Sequence, residues 1–103
     1  GLQLLDRDEK WLDVATRPGE LVVDAGDMMS RLTNEVIPST IHRVINPDSD
    51  NYDTHRYSMP FFVHPHPEAS LNCLPSCVGS GAKFPDISAH TFLEQRLEQI
   101  GLM

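Results

Sequence analysis

The chain has 103 residues, with 8 Lys and Arg against 15 Asp and Glu, giving a formal net charge of -7. That length fits one small domain with one core, burying roughly 65% of the surface its unfolded chain exposes. The acidic balance and the lack of a basic stripe argue against nucleic acid or an anionic membrane as partner, and no apolar run approaches the ~20 residues of a spanning helix. Eight prolines and six glycines point to turns and short strands rather than a helical bundle. The start, GLQLLDRDEK, has neither the basic nor the apolar region of a secretory signal. The two cysteines, Cys73 and Cys77, are too few for a disulfide scaffold, so a reducing cytoplasm is the expected location.

In chain order, LQLLDRDEKWLDVA reads as a hairpin, with Leu2, Leu4, Trp11 and Val14 bracketing a polar tip from Asp6 to Lys10. Pro18-Gly19 marks a tight turn. ELVVDAGD reads as a strand ending at Gly26, and DMMSRLTNEV as a short helical turn with Asp27 as N-cap and Met28 and Leu32 on one side. TIHRVINP is a β-branched run closed by Pro47, and RYSMPFFVHP is the next strand, with Pro60 implying an edge, a bulge or a break. Residues 66–86 form a Pro-, Gly- and Ser-rich loop. A helix over about 87–100 follows, capped by Ser88, with Leu93, Leu97 and Ile100 at i, i+4 and i+7 and Gly101 as its stop. The expected organisation is a single unit over 1–103: a β region to about residue 65, the loop, and one C-terminal α-helix. Four or five strands with one helix leave an open edge and an uncovered apolar face, so the chain reads as a piece of something larger.

The chemistry candidates lie between Ile41 and Phe62. Strand alternation puts His42 and Val44 on one face and Ile41 and Arg43 on the other. An inward-facing histidine in a β structure is either a satisfied core residue or a metal ligand. Arg56 and Ser58 are two apart and share a strand face, where a guanidinium fork beside a hydroxyl suits a carboxylate. The plainer alternative is a surface arginine paired with one of this chain's many acids.

Taken together, these residues resemble the C-terminal part of the iron(II)- and 2-oxoglutarate-dependent oxygenases, in the isopenicillin N synthase-like branch. GLQLLDRDEKWLDV looks like that family's hairpin after its first metal motif. RPGELVVDAGDMMSRLTNEVIPSTIHRV looks like the segment leading to its last metal histidine, RYSMPFFVHPHPEA like its co-substrate strand, and PDISAHTFLEQRLEQIGL like its closing helix. The resemblance implies a mainly β fold, a partial double-stranded β-helix (jelly roll) with one C-terminal helix. It implies His42 as the distal histidine of a two-histidine, one-carboxylate iron site, and Arg56 and Ser58 as the pair holding the far carboxylate of 2-oxoglutarate. Fe(II), 2-oxoglutarate and molecular oxygen are the implied cofactor and co-substrates. The implied reaction is oxidative decarboxylation of 2-oxoglutarate coupled to oxidation of a C–H bond in a small molecule.

The family's other two ligands come from a His-x-Asp/Glu tripeptide, and this chain contains none. The motif is expected just upstream of Gly1, and the isolated chain, with one ligand of three, is expected to be inactive. Its expected partner is the missing N-terminal part of the same protein, or a second copy docking on the exposed sheet edge. Two other readings stand beside this one: a truncated paralogue acting as a binding or oligomerisation module, and a small metal binder using His64 and His66. The flanking prolines favour a solvated turn for that histidine pair. DSDNYD, Asp48–Asp53, fails the calcium-loop pattern, with Asp53 where glycine is needed and Met59 where a carboxylate is. The spacing of Cys73 and Cys77 is allowed in a zinc site, but there is no second pair, and two reduced thiols are expected. Phe61, Phe62, Phe84 and Phe92 are expected in the core.

Overall fold

The computed structural model describes residues 1–46 and 53–103, so the acidic stretch Asp48–Tyr52 and its calcium-loop reading lie outside the described residues. The chain divides into two compact units, Gly1–Asp24 with Thr40–Pro60, and Ala25–Ser39 with Phe61–Met103.

The first unit is built on a three-stranded sheet of order β2-β1-β3. Strands β1 (Leu2–Leu5) and β2 (Trp11–Asp13) form the expected antiparallel hairpin. Asp6 organises its tip: the carboxylate Oδ1 accepts from the backbone N–H of Asp8 at 2.9 Å and of Lys10 at 2.8 Å. A side chain taking over backbone donors in this way is why Asp is favoured in turns. Strand β3 (His42–Val44) pairs with the other side of β1, also antiparallel. The Pro18-Gly19 turn is present, closed by Glu20 N–H to the Arg17 carbonyl at 3.1 Å, with Gly19 at φ 87. Proline followed by a residue of positive φ is a type II arrangement, which needs glycine at that place.

Two expected strands do not form. Glu20–Gly26 and Arg56–Val63 carry no ladder, and Leu21, Val23, Tyr57, Met59, Phe61 and Phe62 are exposed. Both runs have β-type sequence, but strand geometry is held by a neighbour's N–H and C=O groups. Among the described residues, β2 and β3 close the sheet at its two edges and neither run pairs with them. Phe61 and Phe62 are therefore not core.

The second unit holds the buried core, Leu71, Ala89 and Phe92, with Met28, Leu32 and Ile87 packed against it. Helix α1 (Asp27–Leu32) supplies Met28 and Leu32, the side expected from the sequence. Its N-cap is Gly26, one residue before the expected Asp27. Asp27 instead stands in the first turn, where a carboxylate complements the helix dipole, and ion-pairs with Arg96 at 3.1 Å. The loop between the helices is ordered by a bridge between Ser70 and Ser88 and a short 3-10 turn, Pro75–Cys77.

Helix α2 (Ala89–Gln99) begins and ends where its sequence signals stand. Ser88 Oγ accepts from Thr91 N–H at 3.2 Å. At the other end Gly101, at φ 77, donates to Glu98 O at 3.0 Å and Leu102 to Leu97 O at 2.8 Å, a Schellman closure. The buried stripe differs from the expected Leu93, Leu97 and Ile100. Ala89 and Phe92 face the core and Ile100 is exposed, because the core contacts lie at the N-terminal half of the helix. Arg31 Cζ lies 5.0 Å from the Phe84 ring centroid and 5.1 Å from that of Phe92, and Arg31 Nη2 donates to Pro85 O at 2.8 Å. No described helix is long and apolar enough to cross a membrane.

Candidate functional site

The ladder registers decide what His42 faces. His42 is opposite Leu4 and Val44 opposite Leu2, while Leu12 is opposite Leu4 on the other side. Directly paired residues share a face, so Leu2, Leu4, Leu12, His42 and Val44 form one side of the sheet. Gln3, Leu5, Trp11, Asp13 and Arg43 form the other. The second side is tied together by polar contacts. Arg43 Nε donates to Gln3 Oε1 at 2.9 Å, Gln3 Nε2 to Asp13 Oδ1 at 2.7 Å, and Arg43 Cζ stands 3.9 Å from the Trp11 ring centroid. His42 is thus the polar side chain on an otherwise apolar face.

It is not a satisfied core histidine, since its side chain is 52% exposed. Its Nδ1 lies 3.1 Å from the Thr40 carbonyl and 3.5 Å from Asp24 Oδ2. Both neighbours are acceptors, so a neutral ring satisfies them with its proton on Nδ1, the tautomer whose lone pair is on Nε2. A metal-binding imidazole has this arrangement, with one nitrogen on the metal and the other donating to a carbonyl or carboxylate. Asp24 was given no role by its sequence. It stands 18 residues before His42 in a run that reads as a strand, and no local pattern marks it.

Arg56 and Ser58 lie in the same compact unit as His42 and are exposed. Among the described residues no hydrogen bond or ion pair engages the Arg56 guanidinium, and none joins Arg56 or Ser58 to His42. The surface ion pair that would have been the plainer account of Arg56 is thus not found among those residues. Its donors fit a ligand carboxylate. His42 fits one position of a metal site, and among the described residues no group of three His, Cys, Asp or Glu side chains converges to complete one.

The remaining candidates are elsewhere. His66 belongs to a turn, with Ala69 N–H to its carbonyl at 2.8 Å and its Nδ1 accepting from Glu68 N–H at 3.3 Å. His64 lines a small recess with Met28, His90 and Leu93. His90 Nε2 lies 3.4 Å from Glu94 Oε1. Cys73 and Cys77 are free and half-buried.

Known proteins resemble this chain over nearly its whole length. The family model described as the 2OG-Fe(II) oxygenase superfamily matches residues 1–65. A 2-oxoglutarate-Fe(II) type oxidoreductase of Emericella nidulans is 39% identical over 102 residues, covering 96% of this chain and 28% of that protein. A 2-oxoglutarate-dependent dioxygenase of Amanita muscaria is 30% identical, covering 96% of this chain and 50% of its own length. Among solved structures, a 2OG-Fe(II) oxygenase family protein from Caulobacter crescentus superposes with TM-score 0.89 at 46% identity, over 97% of this chain and 34% of that one. A full-length Neurospora crassa protein solved in complex with alpha-KG superposes with TM-score 0.75 at 27% identity, over 95% of this chain and 31% of that one. The chain thus spans about a fifth to a half of the curated relatives it matches and about a third of these structures. The likeness to the Caulobacter structure bears out the expected fold class, part of the mainly β jelly roll of these oxygenases with its C-terminal helix. The chain belongs to the 2OG-Fe(II) oxygenase superfamily, which uses Fe(II), 2-oxoglutarate and oxygen.

Proposed function

We propose that this chain is the C-terminal portion of an Fe(II)/2-oxoglutarate-dependent dioxygenase of the isopenicillin N synthase-like branch. It would carry one iron ligand and the co-substrate clamp. The observation that carries the reading is His42, half-exposed on the apolar face of the sheet with Nδ1 engaged and Nε2 open. His42 would hold the metal through Nε2. Arg56, with Ser58 beside it, would bind the far carboxylate of 2-oxoglutarate through charge-assisted hydrogen bonds. When bound, Fe(II) supplies the oxidation, in which oxygen and 2-oxoglutarate give succinate and carbon dioxide while a substrate C–H bond is oxidised. A His-x-Asp or His-x-Glu pair from sequence N-terminal to residue 1 would complete the site. One imidazole alone sets no metal geometry, so the 103-residue chain should be inactive.

The test compares two proteins, this chain and one extended on its N-terminal side to include the His-x-Asp/Glu strand. The extended protein should bind Fe(II) and convert 2-oxoglutarate to succinate, while the short chain should do neither. Turnover by the short chain would refute the division of the site, and no succinate from the extended protein would refute the oxygenase reading.

A second reading, a non-catalytic module that binds itself or a partner, is favoured by one observation. In the first unit, the two edge strands of the sheet and the exposed Leu21, Val23 and Met59 leave apolar surface open. Its self-binding form requires stable self-association of the short chain, and a single monomeric species in sedimentation velocity would remove that form.

A further inference from the structure

We propose that Asp24 is a positioning residue for His42. Together with the Thr40 carbonyl, its carboxylate holds the ring proton on Nδ1 and keeps the Nε2 lone pair open toward a metal. The proposal rests on the oxygenase reading for its consequence, but the pairing itself stands on geometry. Asp24 Oδ2 lies 3.5 Å from His42 Nδ1, and Thr40 O lies 3.1 Å from the same atom. A neutral imidazole carries one N–H. With the proton on Nε2, the Nδ1 lone pair would point at a carbonyl oxygen and a carboxylate at once. With the proton on Nδ1, it donates to the carbonyl and lies within reach of the charge.

The two acceptors differ in kind. The Thr40 carbonyl is two residues from His42 and comes with the strand. Asp24 is brought from 18 residues away and is the one that substitution can remove. Its side chain is 46% exposed and that of His42 52%, so water screens the pair and the effect is graded rather than all-or-none. Asp24 makes no contact with a metal in this account. It acts through the imidazole, as a carboxylate behind a ligating histidine does.

Long-range proton–nitrogen NMR on the 103-residue chain, with the imidazole neutral and no metal present, reads the tautomer of His42 directly. The unaltered chain should show the Nδ1–H form in excess. Asp24→Ala should move the population toward Nε2–H, and Asp24→Asn, which keeps an acceptor oxygen, should restore most of it. An unchanged tautomer in Asp24→Ala would overturn the pairing, since the Thr40 carbonyl alone would then suffice. In the N-terminally extended protein, Asp24→Ala should weaken anaerobic Fe(II) binding by about tenfold, the lower end of what such supporting contacts contribute, and Asp24→Asn by much less. Equal Fe(II) affinity in all three would overturn the positioning role. If the extended protein with native Asp24 binds no Fe(II), the oxygenase reading fails and the role toward metal with it. The tautomer comparison would still decide whether Asp24 orients His42.

Discussion

Leu4 and His42 sit directly opposite each other in the antiparallel β1–β3 ladder, which makes an imidazole the partner of a leucine on an apolar sheet face. Such a histidine gains nothing from its cross-strand neighbour. Among the described residues its polar contacts run through Nδ1, to Thr40 and Asp24. The arrangement leaves the other ring nitrogen, Nε2, for the metal role proposed for His42.

Replacing His42 by alanine in the extended protein should reduce succinate formation to the level without iron. The same change in the 103-residue chain should leave its stability within about 0.5 kcal/mol, because the side chain is exposed and packs little. Retained turnover, measured as succinate formed, would remove His42 from the iron site.

Arg56→Ala should act on the co-substrate and not on the metal. A hydrogen bond to a charged group contributes about 1.5–3 kcal/mol, and about 1.4 kcal/mol is tenfold in affinity. The KM for 2-oxoglutarate should therefore rise roughly 10- to 100-fold, with Fe(II) affinity unchanged. Ser58→Ala, losing one neutral donor, should raise it only several-fold. Titrating 2-oxoglutarate against each variant checks this, and an unaltered KM for Arg56→Ala would assign the clamp elsewhere.

Asn34 should prove a structural hub of the second unit. Its Nδ2 lies 3.1 Å from Cys77 O, 3.2 Å from Val78 O and 3.0 Å from Gly81 O, while its Oδ1 accepts from Lys83 N–H at 2.8 Å. Its φ is 52, a conformation that glycine tolerates and alanine does not. Asn34→Gly removes the side-chain bonds alone and should cost about 1–3 kcal/mol, whereas Asn34→Ala adds backbone strain and should cost more. Urea unfolding separates the two, and equal losses would mean that the left-handed backbone carries no strain.

Ser88→Ala should cost about 1 kcal/mol by leaving the Thr91 N–H without its cap. For a chain of this size the melting temperature should fall by about 4–8 °C. Ser88→Asp should restore it, since Asp caps as well and adds a favourable charge at the helix start. An unshifted melt in Ser88→Ala would show that the Ser70–Ser88 bridge, and not the cap, fixes the start of α2.

Local chemistry was legible where it is self-contained. The Asp6–Lys10 tip, the Pro18-Gly19 turn and the Ser88 and Gly101 ends of α2 depend on residues within five positions of one another, so a single stretch of sequence encodes each of them. The face occupied by His42 was legible for a similar reason, because strand alternation fixes it once β3 exists. The runs 20–26 and 56–63 were misread because β propensity states a preference without supplying a partner strand. The helical stripe was misread because periodicity gives a face but not which part of it meets a neighbour, and here Phe92 and Ala89 meet Leu71 while Ile100 meets solvent.

The sequence by itself determined the family resemblance, the hairpin, the capped helix and the candidacy of His42, Arg56 and Ser58, all carried by residue identity and short spacing. Only the tertiary structure decided that Asp24 stands 3.5 Å behind the His42 ring and that Asn34 gathers the carbonyls of the 77–81 loop. Those contacts join residues 18 to 47 positions apart, and separations of that size are fixed by how the chain packs rather than by any pattern along it.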